Sequence, residues 1–138
     1  MRKQVIILSM TMLVMGIPGY ALGQLSEITL SNPTIVDMKG HQKNDLYVGT
    51  PIGFSSIIEN HGTGEKRFTY VVRVLDQNNQ IQSRSSMSVN ISPNQSLTVA
   101  ESWIPQKAGM YSVQTFLLNG NLMSSQLTDI INTNIVVK

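Results

Sequence analysis

Phe68-Thr69-Tyr70-Val71-Val72-Arg73-Val74-Leu75-Asp76 is the stretch that decides the fold. Phe68, Tyr70, Val72 and Val74 fall on one side of an extended chain, and Thr69, Val71 and Arg73 fall on the other. Side chains alternate strictly across a strand, whereas a helix repeats every ~3.6 residues, so this pattern predicts a half-buried strand. Asp76-Gln77-Asn78-Asn79-Gln80 follows as a hairpin-type loop, because Asn tolerates left-handed backbone.

The same reading extends in both directions. Upstream, Pro51 to Glu59 places Ile52, Phe54 and Ile58 on one face, and Asn60-His61-Gly62-Thr63-Gly64 turns the chain. Glu27 to Met38 reads as an edge strand that Pro33 interrupts. Downstream, Ile81–Arg84 and Met87–Ile91 read as two short strands, the second ended by Ser92-Pro93-Asn94. Leu97 to Trp103 puts Leu97, Val99 and Trp103 on one face, with Glu101 among them. A buried unpaired carboxylate is costly, so a bulge at Glu101, or an edge position that reaches water, is expected. Tyr111, Val113, Thr115 and Leu117 alternate inward, and Ile131, Ile135 and Val137 mark the last strand. Seven to eight short strands without an amphipathic helix predict an all-β Greek-key β-sandwich.

The N-terminus has a different character. Met1-Arg2-Lys3-Gln4 is basic, Val5 to Ile17 is an apolar run, Pro18-Gly19 breaks a helix, and Ala21-Leu22-Gly23 supplies small residues. That layout predicts a secretory signal helix over residues 1–23 and a domain over residues 24–138. The apolar run is short of the roughly 20 residues of a spanning helix. If left uncleaved, the leader would tether the domain to a membrane as an accessory subunit of an envelope complex. The expected location is extracellular or at the cell surface.

Composition removes several function classes. Arg2 and Lys3 lie in the leader, so the remaining eight basic residues face eight acidic ones, and no basic patch for nucleic acid is expected. The chain has no Cys, which excludes disulfides, thiolate metal sites and a Cys nucleophile. No Gly-x-Ser-x-Gly elbow or glycine-rich phosphate cradle is present, so no catalytic residues and no cofactor are expected. His41 and His61 are the weak candidates for a metal site, were they to converge with Asp45 or Glu59. Asn90-Ile91-Ser92 and Asn94-Gln95-Ser96 are N-glycosylation sequons, naming Asn90 and Asn94 as acceptors on an exposed loop.

Three segments carry a family resemblance: the Phe68–Asp76 strand, Ile91-Ser92-Pro93-Asn94-Gln95-Ser96-Leu97, and Trp103-Ile104-Pro105 followed by Ala108-Gly109-Met110-Tyr111-Ser112-Val113. Together they resemble the immunoglobulin-like domains of secreted archaeal and bacterial surface proteins, including cell-adhesion-related modules. The resemblance implies a non-catalytic module with a protein or cell-surface partner, or one that self-associates. Trp103, Pro105, Gly109 and Tyr111 are expected to build a structural corner. In it Trp103 fills the core, Pro105 ends its strand, Gly109 turns the chain and the Tyr111 hydroxyl bonds back to the loop. The alternative reading of the composition is a small extracytoplasmic metal- or ligand-binding protein.

Overall fold

A computed structural model describes residues 27–120 and 125–138. The expected signal helix lies outside the described residues. Within them the chain runs β1 (Ile28–Leu30), β2 (Thr34–Val36), β3 (Ile52–Asn60), β4 (Lys66–Leu75), β5 (Ile81–Ile91), β6 (Ser96–Trp103), β7 (Gly109–Asn119) and β8 (Ile131–Val137). All strand pairings are antiparallel. In one sheet β3 pairs β6 on one side and β1 and β2 in succession on the other. The second sheet runs β5-β4-β7-β8.

Both sheets bury one face against the other, as a β-sandwich does. Ile52, Phe54 and Ile58 of β3 meet Phe68, Tyr70, Val72 and Val74 of β4, with Val113 and Leu117 of β7 and Ile135 and Val137 of β8. Each fully buried side chain of this size stabilises the fold by about 1.5–3 kcal/mol. The alternation of Phe68–Leu75 places its apolar row in the core, but the strand is not half-buried as expected: Thr69 and Val71 on the other face are buried too, Val71 in a second apolar cluster with Phe116 and Leu118 of β7.

Pro33 breaks an edge strand without moving the chain to the other sheet, since β1 and β2 both pair β3. At the break the Ser31 hydroxyl accepts the Ile57 amide at 2.8 Å, replacing a ladder bond that the interrupted strand cannot supply.

Two further expectations change, and of the two alternatives for Glu101 the edge position holds. The two short strands at Ile81–Arg84 and Met87–Ile91 are one strand, β5, paired along its length with β4. Its weak pattern arises because Ser83 and Ser85 face inward at the sandwich's open side, where only part of β6 covers them. Glu101 is not a bulge: β3 and β6 keep one register from Ile52↔Trp103 to Glu59↔Ser96. Instead β6 is an edge strand and Glu101 sits half-buried on it. Trp103 does not dominate the core. It ends the edge strand half-buried, and Tyr70, Phe54 and Phe68 are the largest fully buried side chains.

Candidate functional site

The corner forms where β6 leaves one sheet and β7 enters the other. Trp103 and Tyr111 pack edge to face, with ring centroids 4.9 Å apart at 72°. The Tyr111 hydroxyl donates to the Lys107 carbonyl at 2.6 Å, tying the strand to the preceding loop. Pro105 is buried, and its carbonyl accepts the Gly49 amide at 2.9 Å. Gly109 takes φ +148°, where a side chain would strain the backbone. All four residues thus converge on one end of the sandwich.

The two histidines do not converge. His41 lies in the loop after β2, its Nδ1 3.9 Å from the Asp37 carboxylate. The backbone amides of His41 and Lys39 hold that carboxylate below its usual range. His61 directly follows β3 at the far end, its Nε2 3.4 Å from the Thr29 hydroxyl. Most of β3 separates the two histidines, a span of roughly 25 Å at about 3.3 Å per residue. Among the described residues no group of three or more His, Asp or Glu is arranged to hold a metal ion. Asp45 pairs instead with Lys138 at 3.2 Å.

Asn90 and Asn94 are both exposed, Asn90 near the end of β5 and Asn94 in the loop before β6 at φ 61°. Between them stands a residue that sequence reasoning passed over. Asn60 is buried, its amide donates to the carbonyls of Gly64 and Ile91 at 3.0 and 2.9 Å, and its oxygen accepts the Gly62 amide at 2.9 Å. It closes the turn after β3 onto the end of β5. The only signal was its place on the inward side of β3, two residues past Ile58.

The four outer strand margins differ. β1 and β2 are short and broken by Pro33. β8 is partly covered, because the Lys138 amide donates to the Leu46 carbonyl and the Val48 amide to the Lys138 carbonyl. β6 carries Glu101. β5 presents eleven residues without Pro, Lys, Asp or Glu. Its register irregularity is confined to its first residues, opposite Val74 and Leu75. Among the described residues no backbone hydrogen bond reaches its outer edge.

Two antiparallel sheets packed face to face, one of them with a long open edge, define a β-sandwich module. The chain belongs to the SlaA-like (S-layer A-like) family, whose model matches residues 9–131. No curated protein matches the sequence. Among solved structures it is similar to the CARDB domain of a Pyrococcus furiosus protein in complex with di-metal ions. That match has a TM-score of 0.55 at 14% identity and covers 83% of this chain and 94% of that one. It is also similar to a β-glucosidase from Erythrobacter marinus (TM-score 0.59, 9% identity, 80% of this chain) and a Bacteroides uniformis β-glucuronidase (TM-score 0.63, 10% identity, 76% of this chain). The chain spans only 15% and 13% of those two enzymes. At such identities the likeness shows the fold alone.

Proposed function

We propose that this chain is a secreted, non-catalytic, immunoglobulin-like module of the cell surface that acts by assembly, adding a strand at the open edge of β5. The observation that carries this reading is the contrast between edges. Three margins hold a device that discourages pairing, whereas β5, the longest of the edge strands, has only the irregularity at its first residues and the single charge of Arg84, and is unprotected from Ser85 to Ile91. The S-layer A-like family supports the cell-surface setting. Two copies pairing β5 antiparallel would join their four-stranded sheets into one eight-stranded sheet. Main-chain hydrogen bonds would supply the affinity and a two-fold axis would close the contact.

The absence of Cys makes the test direct. Single cysteines placed at Ser83, Ser86 or Ser88 of the purified chain give disulfide-linked dimers on mild oxidation if β5 pairs with itself. Ser102→Cys, on β6, serves as the control. A strict monomer by light scattering at high concentration, with no cross-link from any β5 position, refutes assembly at this edge.

A further inference from the structure

The chain has three arginines beyond Arg2, and all three project from one surface. Arg67 and Arg73 lie on β4 at positions that alternate with its buried row, and Arg84 stands directly opposite Arg73 on β5. Directly opposed residues of an antiparallel pair share a face, so this is the outer face of the β5-β4-β7-β8 sheet. The Arg73 guanidinium lies 4.9 Å above the Phe116 ring, which fixes its head on the sheet. Its Nε is buried without an acceptor.

None of these arginines has a carboxylate. All eight Asp and Glu residues are among those described, and the ion pairs among the described residues are His41–Asp37, Lys66–Glu27 and Lys138–Asp45. Asp76, at the end of the face, is already engaged by the amides of Asn78 and Gln80 and the side chain of Gln82. Two like charges directly opposite one another destabilise a strand pair. Over the described residues eight basic side chains balance eight acidic ones, so a fold that leaves its three arginines unpaired on one side of one sheet lacks an anion there. The face is divided: Val71 of β4 with Phe116 and Leu118 of β7 forms a buried apolar cluster against which Ile130 packs, and the polar part is the β5 side, with Ser86, Ser88 and Asn90, and the row of Gln114 and Asn132 beside Arg73.

We infer that this face binds an acidic polysaccharide. Carboxylates of the polymer would pair with Arg73, Arg84 and Arg67 along about 20 Å of strand, given ~3.3 Å per residue. Neighbouring hydroxyls and amides would bond to its sugar oxygens. The arginine fork suits a carboxylate better than an ammonium does. Such forks, spaced along the polar β5 side of the sheet and not across its apolar β4–β7 part, suit a repeating anionic chain. This inference rests on the surface-module reading for access to such a polymer, but its test is separate from that of the β5 edge.

The test measures binding of the purified chain to polygalacturonate, with dextran as the neutral control, by affinity electrophoresis and calorimetry. The wild type is expected to be retarded by polygalacturonate and not by dextran, with retardation falling as salt rises. Arg67→Gln and Arg84→Gln, both at exposed positions, should each weaken binding by roughly three- to tenfold, and the double variant should abolish it. Lys39→Gln and Lys43→Gln make the same change in net charge elsewhere and should leave binding intact. Circular dichroism checks that each variant folds; should the double variant fail to fold, the single variants decide. No retardation of the wild type, or equal loss in the lysine variants, overturns the proposal. So does a result in which Arg84→Gln abolishes self-association while the wild type ignores the polymer, which would make the face a protein interface. A β5-linked dimer that does not bind polygalacturonate refutes this inference and leaves the assembly reading standing.

Discussion

Tyr70 and Ser56 join the two sheets through the middle of the core. The Tyr70 hydroxyl lies 2.8 Å from Ser56 Oγ and donates to the Phe54 carbonyl at 3.3 Å, all of it buried. Burial pushes the Tyr70 hydroxyl up to about 12, and the charge of Glu101 adds to the rise, while the bond to Ser56 opposes it. This pairing accounts for a serine in the inward row Ile52-Phe54-Ser56-Ile58: it is the partner that lets the largest buried side chain keep its hydroxyl satisfied.

Tyr70→Phe should therefore destabilise the fold by about 1–3 kcal/mol, because it strands the Ser56 hydroxyl in an apolar layer. The double variant Tyr70→Phe/Ser56→Ala should lose less than the sum of the two single variants. Urea melts of the four proteins make the comparison. The tyrosine also sets an alkaline limit. Its folded value lies above the unfolded one of about 10, so the unfolded state releases the proton first. Stability is fully present below about pH 10 and is lost as pH rises towards 12. In Tyr70→Phe this alkaline loss should be visibly shallower than in the wild type.

Asn60→Ala should cost more, about 3 kcal/mol or above, since three backbone groups, two of them in buried bonds, lose their partner at once. Proteolysis should then begin in the loops that Asn60 ties together, around Gly64 and Ser92. A variant that melts within 1–2 °C of the wild type would show that water substitutes fully for the side chain.

Gly53 leaves room for β2. A Cβ there would stand 2.9 Å from Val36 Cγ2, and a β-branched side chain has little freedom to retreat. Gly53→Ala is expected to cost about 1–3 kcal/mol by overpacking. Val36→Ala in the same chain should recover part of that loss. Thermal melts of both variants check it, and additive losses would show that the clash is relieved some other way.

Glu101 faces the open side of the sandwich beside Ser85. Burial raises its carboxyl above the usual range, partly offset by the Ser85 hydroxyl. The fold therefore favours the protonated acid. Its contribution is fully present below the unfolded value of about 4 and is lost as pH rises through the higher folded one. Glu101→Gln should stabilise the protein at pH 7 by under about 1 kcal/mol, with the gain shrinking towards pH 4. A gain that stays constant over this range would show that the carboxylate is fully hydrated in the fold.

Arg84→Glu converts the opposed pair on β4 and β5 into Arg73 facing a carboxylate. The free protein should become more stable by about 0.5–1 kcal/mol. The same substitution should lose polygalacturonate binding. Denaturation and binding measured on one preparation separate a surface kept for a ligand from one kept for stability.

Much of the strand plan is legible in the residues alone. Phe68–Leu75, Tyr111–Leu117 and Ile52–Ile58 carry a period of two that marks their core-facing rows without knowledge of any partner, whereas the burial of Val71 and Phe116 on the other face of their sheet does not follow from it. The corner of Trp103, Pro105, Gly109 and Tyr111 is legible for the same reason, because its parts are close in sequence. β5 was harder: an edge strand covered on one side only has little need of apolar side chains, and Ser83 and Ser85 blurred its pattern.

Local alternation is a property of a single strand, and the amino-acid order determined it. Only the tertiary structure decided what depends on register between distant strands. Ser56 meets Tyr70, Asn60 reaches Ile91, and the two histidines end at opposite ends of β3. Arg73 comes to face Arg84 in the same way. These pairings are set by which strands become neighbours, and that choice is made by the burial of the whole core, which no single segment encodes.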